Sequence, residues 1–429
     1  MVELSRAELH VSVSDPVATS MNFLNEIAGR YPDAISLAAG RPYDGFYSTE
    51  DVQRYFASYV DHLRDGGLSE EQVRRLLLQY GRTNGQLGSL IATMLEKDEG
   101  IMVAPESVMV TAGCQEAMII ALRALCPGPG DVVLAAEPCY VGLTGAARIL
   151  GVDVVPVPES PAGLGPETVA EVARAVRAAG KRPRALYLVP NFSNPSGVSL
   201  PVATRRRLLD VAAEQDLLLL EDDPYGLFGL DDEPRPTLKS LDTEGRVLYL
   251  GSFAKSCFPG ARVGFLVADQ TVVDAEGRRT LLAEEMSAVK SMLTVNTSPI
   301  SQAVIGGVLV ESGCSLRAAN RDKVEFYRDN LRTLLAALER HFPRSPSGED
   351  AVRWNVPRGG FFAVVALPFE ADEKLLEISA EQFGVLWTPM RFFYSDGGAN
   401  ALRLSCSYLK AEQIAEGVHR LSRLVAAAA

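Results

Sequence analysis

Seven short apolar runs, SVMV, VVLA, VDVVPV, ALYLV, DLLLLE, RVLYL and RVGFLV, follow one another with helical patterns between them. The runs are continuous rather than alternating, the pattern of strands buried on both faces, and the spacers are long enough for crossover helices. They predict an α/β fold whose large domain, residues 56–311, carries a mostly parallel seven-stranded sheet. Beyond it, NRDKVEFYRDNLRTLLAALERHF places Leu331, Leu334, Leu335 and Leu338 on one helical face, with Pro343 just past its end. This helix is expected to bridge two lobes. Strand signals in GGFFAVVAL and ALRLSCS, and a last helix from Ala411, predict a smaller α+β domain built from both termini, residues 1–55 and 312–429.

Charge and cysteine usage narrow the partners. A formal charge of −12 with no long basic run argues against a nucleic-acid surface, whose affinity rests on lysine and arginine against phosphate. No apolar run approaches the roughly 20 residues that span a bilayer. The opening MVELSRAELHVSVSD lacks the order of a secretory signal, so a cytoplasmic protein acting on small molecules is expected. The six cysteines form no C-x-x-C pair and the four histidines lie far apart, so neither a disulfide framework nor a metal site is expected.

In open α/β sheets ligands bind beyond the carboxyl ends of the strands. There, SVMVT is followed by AGCQEAM, a glycine turn opening a helix whose N–H groups at Gly113, Cys114 and Gln115 suit a phosphate. ALYLV leads to PNFSNPSG and Asn194, DLLLLE to Asp222 with Tyr225 three positions on, and RVLYLG to Ser252, Lys255 and Arg262. Taken singly, each is more often a cap, a turn or a surface charge. Together they present a phosphate cradle, an acid, a phenol, an amide and an amine along one sheet edge. Pyridoxal 5'-phosphate needs that set: an amine to hold it as an imine, an acid to keep its ring nitrogen protonated, and a phosphate site. Arg262 adds a planar fork for the phosphate.

From ISLAAGRP through QYGRTNGQLGSL, TAGCQEAM, EPCYVG, PNFSNPSG, EDDPYG and SFAKSCFPGARVG to NALRLSCS, the chain resembles the fold-type I pyridoxal-phosphate aminotransferases of class I/II. The resemblance implies that Lys255 is the covalent anchor and proton shuttle, and that Asp222 pairs with the ring nitrogen. It puts Asn194 and Tyr225 on the phenolic oxygen, and Gly113, Cys114, Gln115, Ser252 and Arg262 on the phosphate, with Tyr140 stacked on the ring. Arg403 would clamp the substrate α-carboxylate, with Gly40 and Asn194 beside it, and Tyr80 would reach the phosphate of a neighbouring subunit in a homodimer. Three positions depart from the pattern: Ala254 where many relatives carry serine, Cys114 where serine or alanine is commoner, and Met390 in place of a glycine. The family domain also occurs fused to DNA-binding modules in transcription regulators, but no room for a winged helix is expected ahead of the catalytic domain here.

Within the family, LSRAELHVSVSDP and EDDPYG look most like the 2-aminoadipate and kynurenine aminotransferase branch. RAELHVSVSDP, MNFLNEIAGRYPDAIS and GRPYDGFYSTEDV are more narrowly similar to the phenylglycine and hydroxyphenylglycine transaminases of peptide-antibiotic pathways. That similarity implies transfer between an aromatic amino acid and an aryl 2-oxo acid. Tyr43, Phe46, Tyr47, Phe392, Phe393 and Tyr394 would suit a flat ring, while Arg41 or Arg391 could instead hold a second carboxylate. A decarboxylase, lyase or racemase shares the inventory of Lys255 and Asp222. A cofactor-binding protein without turnover is the alternative of another class.

Overall fold

A computed structural model of the chain describes residues 1–13, 23, 26–233, 235–343 and 351–428. Parts of the N-terminal motifs that carry the narrower similarity, residues 14–22 and 24–25, lie outside the described residues. All seven apolar runs form strands of one sheet. Its order is Val108–Thr111, Gly264–Val267, Val247–Ser252, Leu218–Asp222, Arg182–Leu188, Asp131–Glu137, Asp153–Ser160 and Gly163–Leu164. The eighth member, a two-residue antiparallel ribbon on the edge, is too short to make an apolar run of its own. Gly264–Val267 runs antiparallel to both its neighbours and the remaining long strands are parallel.

Alternate residues of each strand feed opposite faces, as the two-residue period of a strand requires. Val133 and Ala135 enter a core shared with the helices Cys114–Leu125 and Val141–Leu150. Val132 and Leu134 enter another, closed by Pro166–Ala178 and Val202–Glu214. A third core joins Val108, Val110 and Phe265 to the helices Thr49–Asp65, Gly88–Glu99 and Pro299–Glu311. Gly307 makes that layer possible, because a Cβ there would lie 1.8 Å from the Tyr55 carbonyl oxygen. The expected division at residue 55 falls inside the helix Thr49–Asp65.

A separate antiparallel sheet of Arg353–Trp354, Phe362–Ala366, Ala401–Ser405 and Thr388–Pro389 forms from the C-terminal third. The N-terminal strand Ile35–Ser36 pairs in parallel with Val385–Leu386, so both ends of the chain meet. The long helix Arg321–His341 places Tyr327 in the first core and Leu331, Leu334 and Leu338 in the C-terminal core with Trp387, Ile414 and Val418. Among the described residues no helix is long and apolar enough to cross a membrane.

Candidate active site

The sheet's carboxyl edge opens into a cavity of about 850 Å³. Gly40, Cys114, Gln115, Tyr140, Asn194, Asp222, Tyr225, Ser252, Lys255, Arg262 and Arg403 all line it, and Gly113 sits beside it as the N-cap of the helix Cys114–Leu125. Tyr80 is not among the lining residues. It lies on the surface, 85% exposed.

Lys255 stands on the one-turn helix Phe253–Ser256, whose first turn is capped by Ser252 Oγ accepting from the Ala254 N–H at 3.2 Å. Its Nζ donates to the Gly40 carbonyl oxygen at 2.7 Å. Burial, with the charges of Arg403 and Arg262 nearby, brings its pKa down to about 8 against the pull of Asp222. An amine so placed is available in neutral form close to neutral pH.

Asp222 ends its strand fully covered, with Oδ2 accepting from the Tyr187 hydroxyl at 2.8 Å and Oδ1 from the Cys114 thiol at 3.5 Å. Burial raises its pKa to about 6 while those two donors hold it down. Its neighbour Asp223 turns away to accept from Asn191 Nδ2 at 3.1 Å, and Asn191 Oδ1 in turn accepts from Arg205 at 2.6 Å. Arg205, completely buried, also donates to the carbonyls of Pro190, Leu200 and Pro236. These bonds fix the loop that carries Asn194.

Arg403 lies on the strand Ala401–Ser405, stacked over the rings of Phe362 at 4.3 Å and Phe393 at 5.0 Å. Nη1 donates to Asn194 Oδ1 at 2.5 Å, and Nη2 to the Ala38 carbonyl at 2.9 Å and Thr388 Oγ1 at 3.2 Å. Among the described residues its buried Nε has no partner. Burial lowers its pKa to about 10, so it stays a cation at neutral pH. Tyr225 is buried against Phe361 and Phe362, shares a hydrogen bond with Asn194, and its hydroxyl is pushed well above the usual phenol range by burial. Tyr140, raised to about 12, precedes the helix Val141–Leu150.

Gly113 has φ +81° and no side chain caps the helix it opens. A Cβ there would lie 2.5 Å from Arg262 Nη2, so glycine is what lets the guanidinium and the free helix N–H groups face one anion. The buried acid at one end, the anion cradle, the depressed amine, and the orphaned Nε of Arg403 together fit pyridoxal phosphate with a carboxylate-bearing substrate. Gly113→Ala is expected to weaken pyridoxal phosphate binding at least tenfold, from strain of about 1 kcal/mol or more at a positive φ together with the clash. Equilibrium dialysis checks this, and an unchanged dissociation constant would count against the cradle.

Sequence reading missed Tyr187, Arg205 and Lys290. Lys290, fully buried, pairs with Glu116 at 3.0 Å, and Glu116 accepts from the Ala112 N–H at 2.6 Å, bracing the start of the cradle. Gln115 spends its side chain on the Gly142 carbonyl at 2.6 Å, leaving its main chain to the cradle. The expected aromatic wall needs correction. Of its six members only Phe393 lines the cavity. Tyr43 and Phe46 pack on Phe326, Tyr47 faces Phe258, and Phe392 and Tyr394 pack around Met390 and Val141. Arg391 is tied to Glu373 and Glu370 outside the cavity, whereas Arg41 lines it with its guanidinium 3.8 Å over the Tyr408 ring.

A family model for aminotransferase class I and II matches residues 38–421. The sequence is 49% identical to (S)-3,5-dihydroxyphenylglycine transaminase of Amycolatopsis orientalis over 427 residues, 99% of this chain and 95% of that one. Kynurenine aminotransferase of Pyrococcus horikoshii, solved in complex with PMP, superposes with a TM-score of 0.82 at 28% identity, covering 99% of this chain and 98% of that one. Alpha-aminoadipate aminotransferase of Thermus thermophilus, solved with N-(5'-phosphopyridoxyl)-L-leucine, gives a TM-score of 0.80 at 30% identity over 99% of both chains.

Proposed function

The chain belongs to the aminotransferase class I and II family, and from that membership we propose that it moves an amino group between an aromatic amino acid and an aryl 2-oxo acid, making a phenylglycine-type product. Use of that product in a peptide antibiotic, and a cytoplasmic location, go with the reading. When bound, pyridoxal 5'-phosphate supplies an aldehyde for the amino group and a conjugated ring that accepts electrons as a bond at the α-carbon breaks.

The chain's own groups do the rest. Gly113, Cys114, Gln115, Ser252 and Arg262 would hold the phosphate, Tyr140 would cover the ring, and Asn194 with Tyr225 would meet its phenolic oxygen. Asp222, ionised, would hold a proton on the ring nitrogen. Arg403 would grip the substrate α-carboxylate by its fork, already oriented by Asn194 and Thr388. Lys255 Nζ would take the proton from the substrate α-carbon and deliver one to the carbon that carried the cofactor's aldehyde. A protein that only stored the cofactor would have no use for a proton shuttle at the substrate α-carbon.

One observation carries the substrate class. Among the described residues the cations lining the cavity are Arg41, Lys255, Arg262 and Arg403. Once the anchor, the phosphate and the α-carboxylate take three, Arg41 remains, and it is held flat on Tyr408. That leaves one cation at which a second carboxylate could bind, so the choice of a ring rests on the substrate in the name of the relative at 49% identity.

The test is absorbance of the cofactor-loaded enzyme titrated with phenylglycine, phenylalanine, glutamate and 2-aminoadipate, with the released 2-oxo acid measured. Conversion by the aryl compounds supports the reading. Conversion only by the dicarboxylic ones would move the enzyme to the aminoadipate branch and give Arg41 the second carboxylate. Release of carbon dioxide with the corresponding amine would instead mean a decarboxylase, and release of free ammonia an eliminating lyase. For Arg403→Lys, kcat/KM is expected to fall roughly 100-fold, since a point charge replaces a charge-assisted fork worth about 2–3 kcal/mol. Steady-state kinetics showing less than a fivefold loss would remove Arg403 from the clamp.

A homodimer with shared sites belongs to the same proposal. Tyr80, Leu78, Met292, Leu293, Val295 and Ile300 are exposed, and Gln86 Nε2 bonds the Pro299 carbonyl at 3.3 Å, holding the two segments together. Exposed apolar groups so concentrated suit a second copy of the chain.

A further inference from the structure

We propose that Cys114 and Tyr187 are positioning residues that keep Asp222 ionised, each donating a hydrogen bond to one of its two carboxylate oxygens. The proposal rests on the role given to Asp222 above and extends it to two side chains of which one was expected only in the phosphate cradle. Tyr187 reaches Oδ2 at 2.8 Å from the adjacent parallel strand, and Cys114 reaches Oδ1 at 3.5 Å from the first position of the cradle helix.

A covered carboxylate loses its charge unless donors or cations face it. Around Asp222 the charged groups are Lys255 and its own neighbour Asp223, which act in opposite directions. Cys139, Tyr140, Tyr225 and Tyr249 also face it, and burial keeps all four protonated at neutral pH. None of these four bonds Asp222, so the ionised form depends on Tyr187 and Cys114 together with the charge of Lys255. Burial and the facing carboxylate push the Tyr187 phenol and the Cys114 thiol well above their ordinary ranges. Each therefore keeps the proton it donates. The cysteine where relatives more often carry serine or alanine is then a donor to the acid, not a reactive thiolate.

The experiment follows the dissociation constant of pyridoxal phosphate by equilibrium dialysis, and the absorbance of the bound cofactor, from mildly acid to mildly alkaline pH. Titration of the phosphate itself is common to all variants, so differences between them report the carboxyl group. In Tyr187→Phe the pH at which affinity falls on acidification should rise by about 1 unit, the size expected when a charged group loses one hydrogen bond. Cys114→Ala should move it upward by a few tenths of a unit, because a thiol is a weak donor, and Cys114→Ser should return it to the wild-type position or below. A purely structural role would weaken binding at every pH with the midpoint unchanged. Coincident midpoints in wild type, Tyr187→Phe and Cys114→Ala would overturn the proposal, as would equal shifts in Cys114→Ser and Cys114→Ala. Shifted midpoints in an enzyme that turns over no amino acid would leave it standing and sink the aminotransfer reading instead.

Discussion

Lys255→Ala should abolish turnover, by at least about 10⁴-fold, while the protein still folds and still takes up pyridoxal phosphate. On the proposed roles two losses combine: the covalent anchor would go, and so would the base whose proton transfer alone is worth roughly 10²–10⁴-fold. The phosphate cradle around Gly113 and Arg262 is untouched, so dialysis should find cofactor bound without the absorbance of the lysine-linked form. Stability separates this residue's role from a structural one. In the cofactor-free protein Lys255 is held at about 8 against 10.5 in an ordinary setting, and its ammonium is the disfavoured form. Below that folded value both folded and unfolded chains carry the proton, so the whole penalty of burying the cation applies, about 3 kcal/mol for the shift. As pH rises from about 8 through 10.5 the folded chain releases its proton first, and the penalty disappears. Removing the amine should therefore relieve about 3 kcal/mol at neutral pH, against which stand the lost bond to Gly40 and the packing of the buried stem. The relief should fade in alkali. Urea unfolding at both pH values checks this, and a stability difference from wild type that does not change with pH would mean that Lys255 braces the fold.

The site's principal groups are readable because each follows an apolar run at the same edge, where the fold leaves polar side chains facing one crevice. Asp222, Asn194, Ser252 and Lys255 follow from that rule alone. Tyr187 does not, because within ALYLV it reads as one more strand residue, and only the pairing of Arg182–Leu188 with Leu218–Asp222 brings it beside the acid. Arg205 and Lys290 sit in helical stretches where a cation ordinarily faces water, so their complete burial has no local signature. The aromatic wall fails for a related reason. Nearness in sequence gives no direction, and the turn after Gly40 sends Tyr43 and Phe46 into the packing against Phe326 while Arg41 faces the cavity. The eighth strand goes unread because two residues cannot display a period.

Asp222→Asn should lower kcat by roughly 10³-fold while leaving the lysine link to the cofactor intact. An amide at this place cannot carry the charge with which Asp222 would hold a proton on the ring nitrogen, and that proton is what would make the ring a good electron acceptor. Binding should suffer much less, because the phosphate and Lys255 still hold the molecule. The cofactor-free protein again gives an independent sign. Asp222 is raised to about 6 from 3.8, so the folded chain binds its proton in that interval while the unfolded chain has lost it. Stability contributed by this group accordingly falls as pH rises from about 4 to about 6, and above that the full cost of burying the carboxylate, about 3 kcal/mol, is present. The asparagine variant escapes that cost, although its amide must now share Tyr187 and Cys114 as donors. It should be the more stable protein at neutral pH and should lose the advantage in acid. A buried acid held ionised at a cost to the fold is a pattern of functional sites. Near-normal turnover in Asp222→Asn, or a variant that is uniformly less stable across the range, would each show that the charge is there to hold the structure.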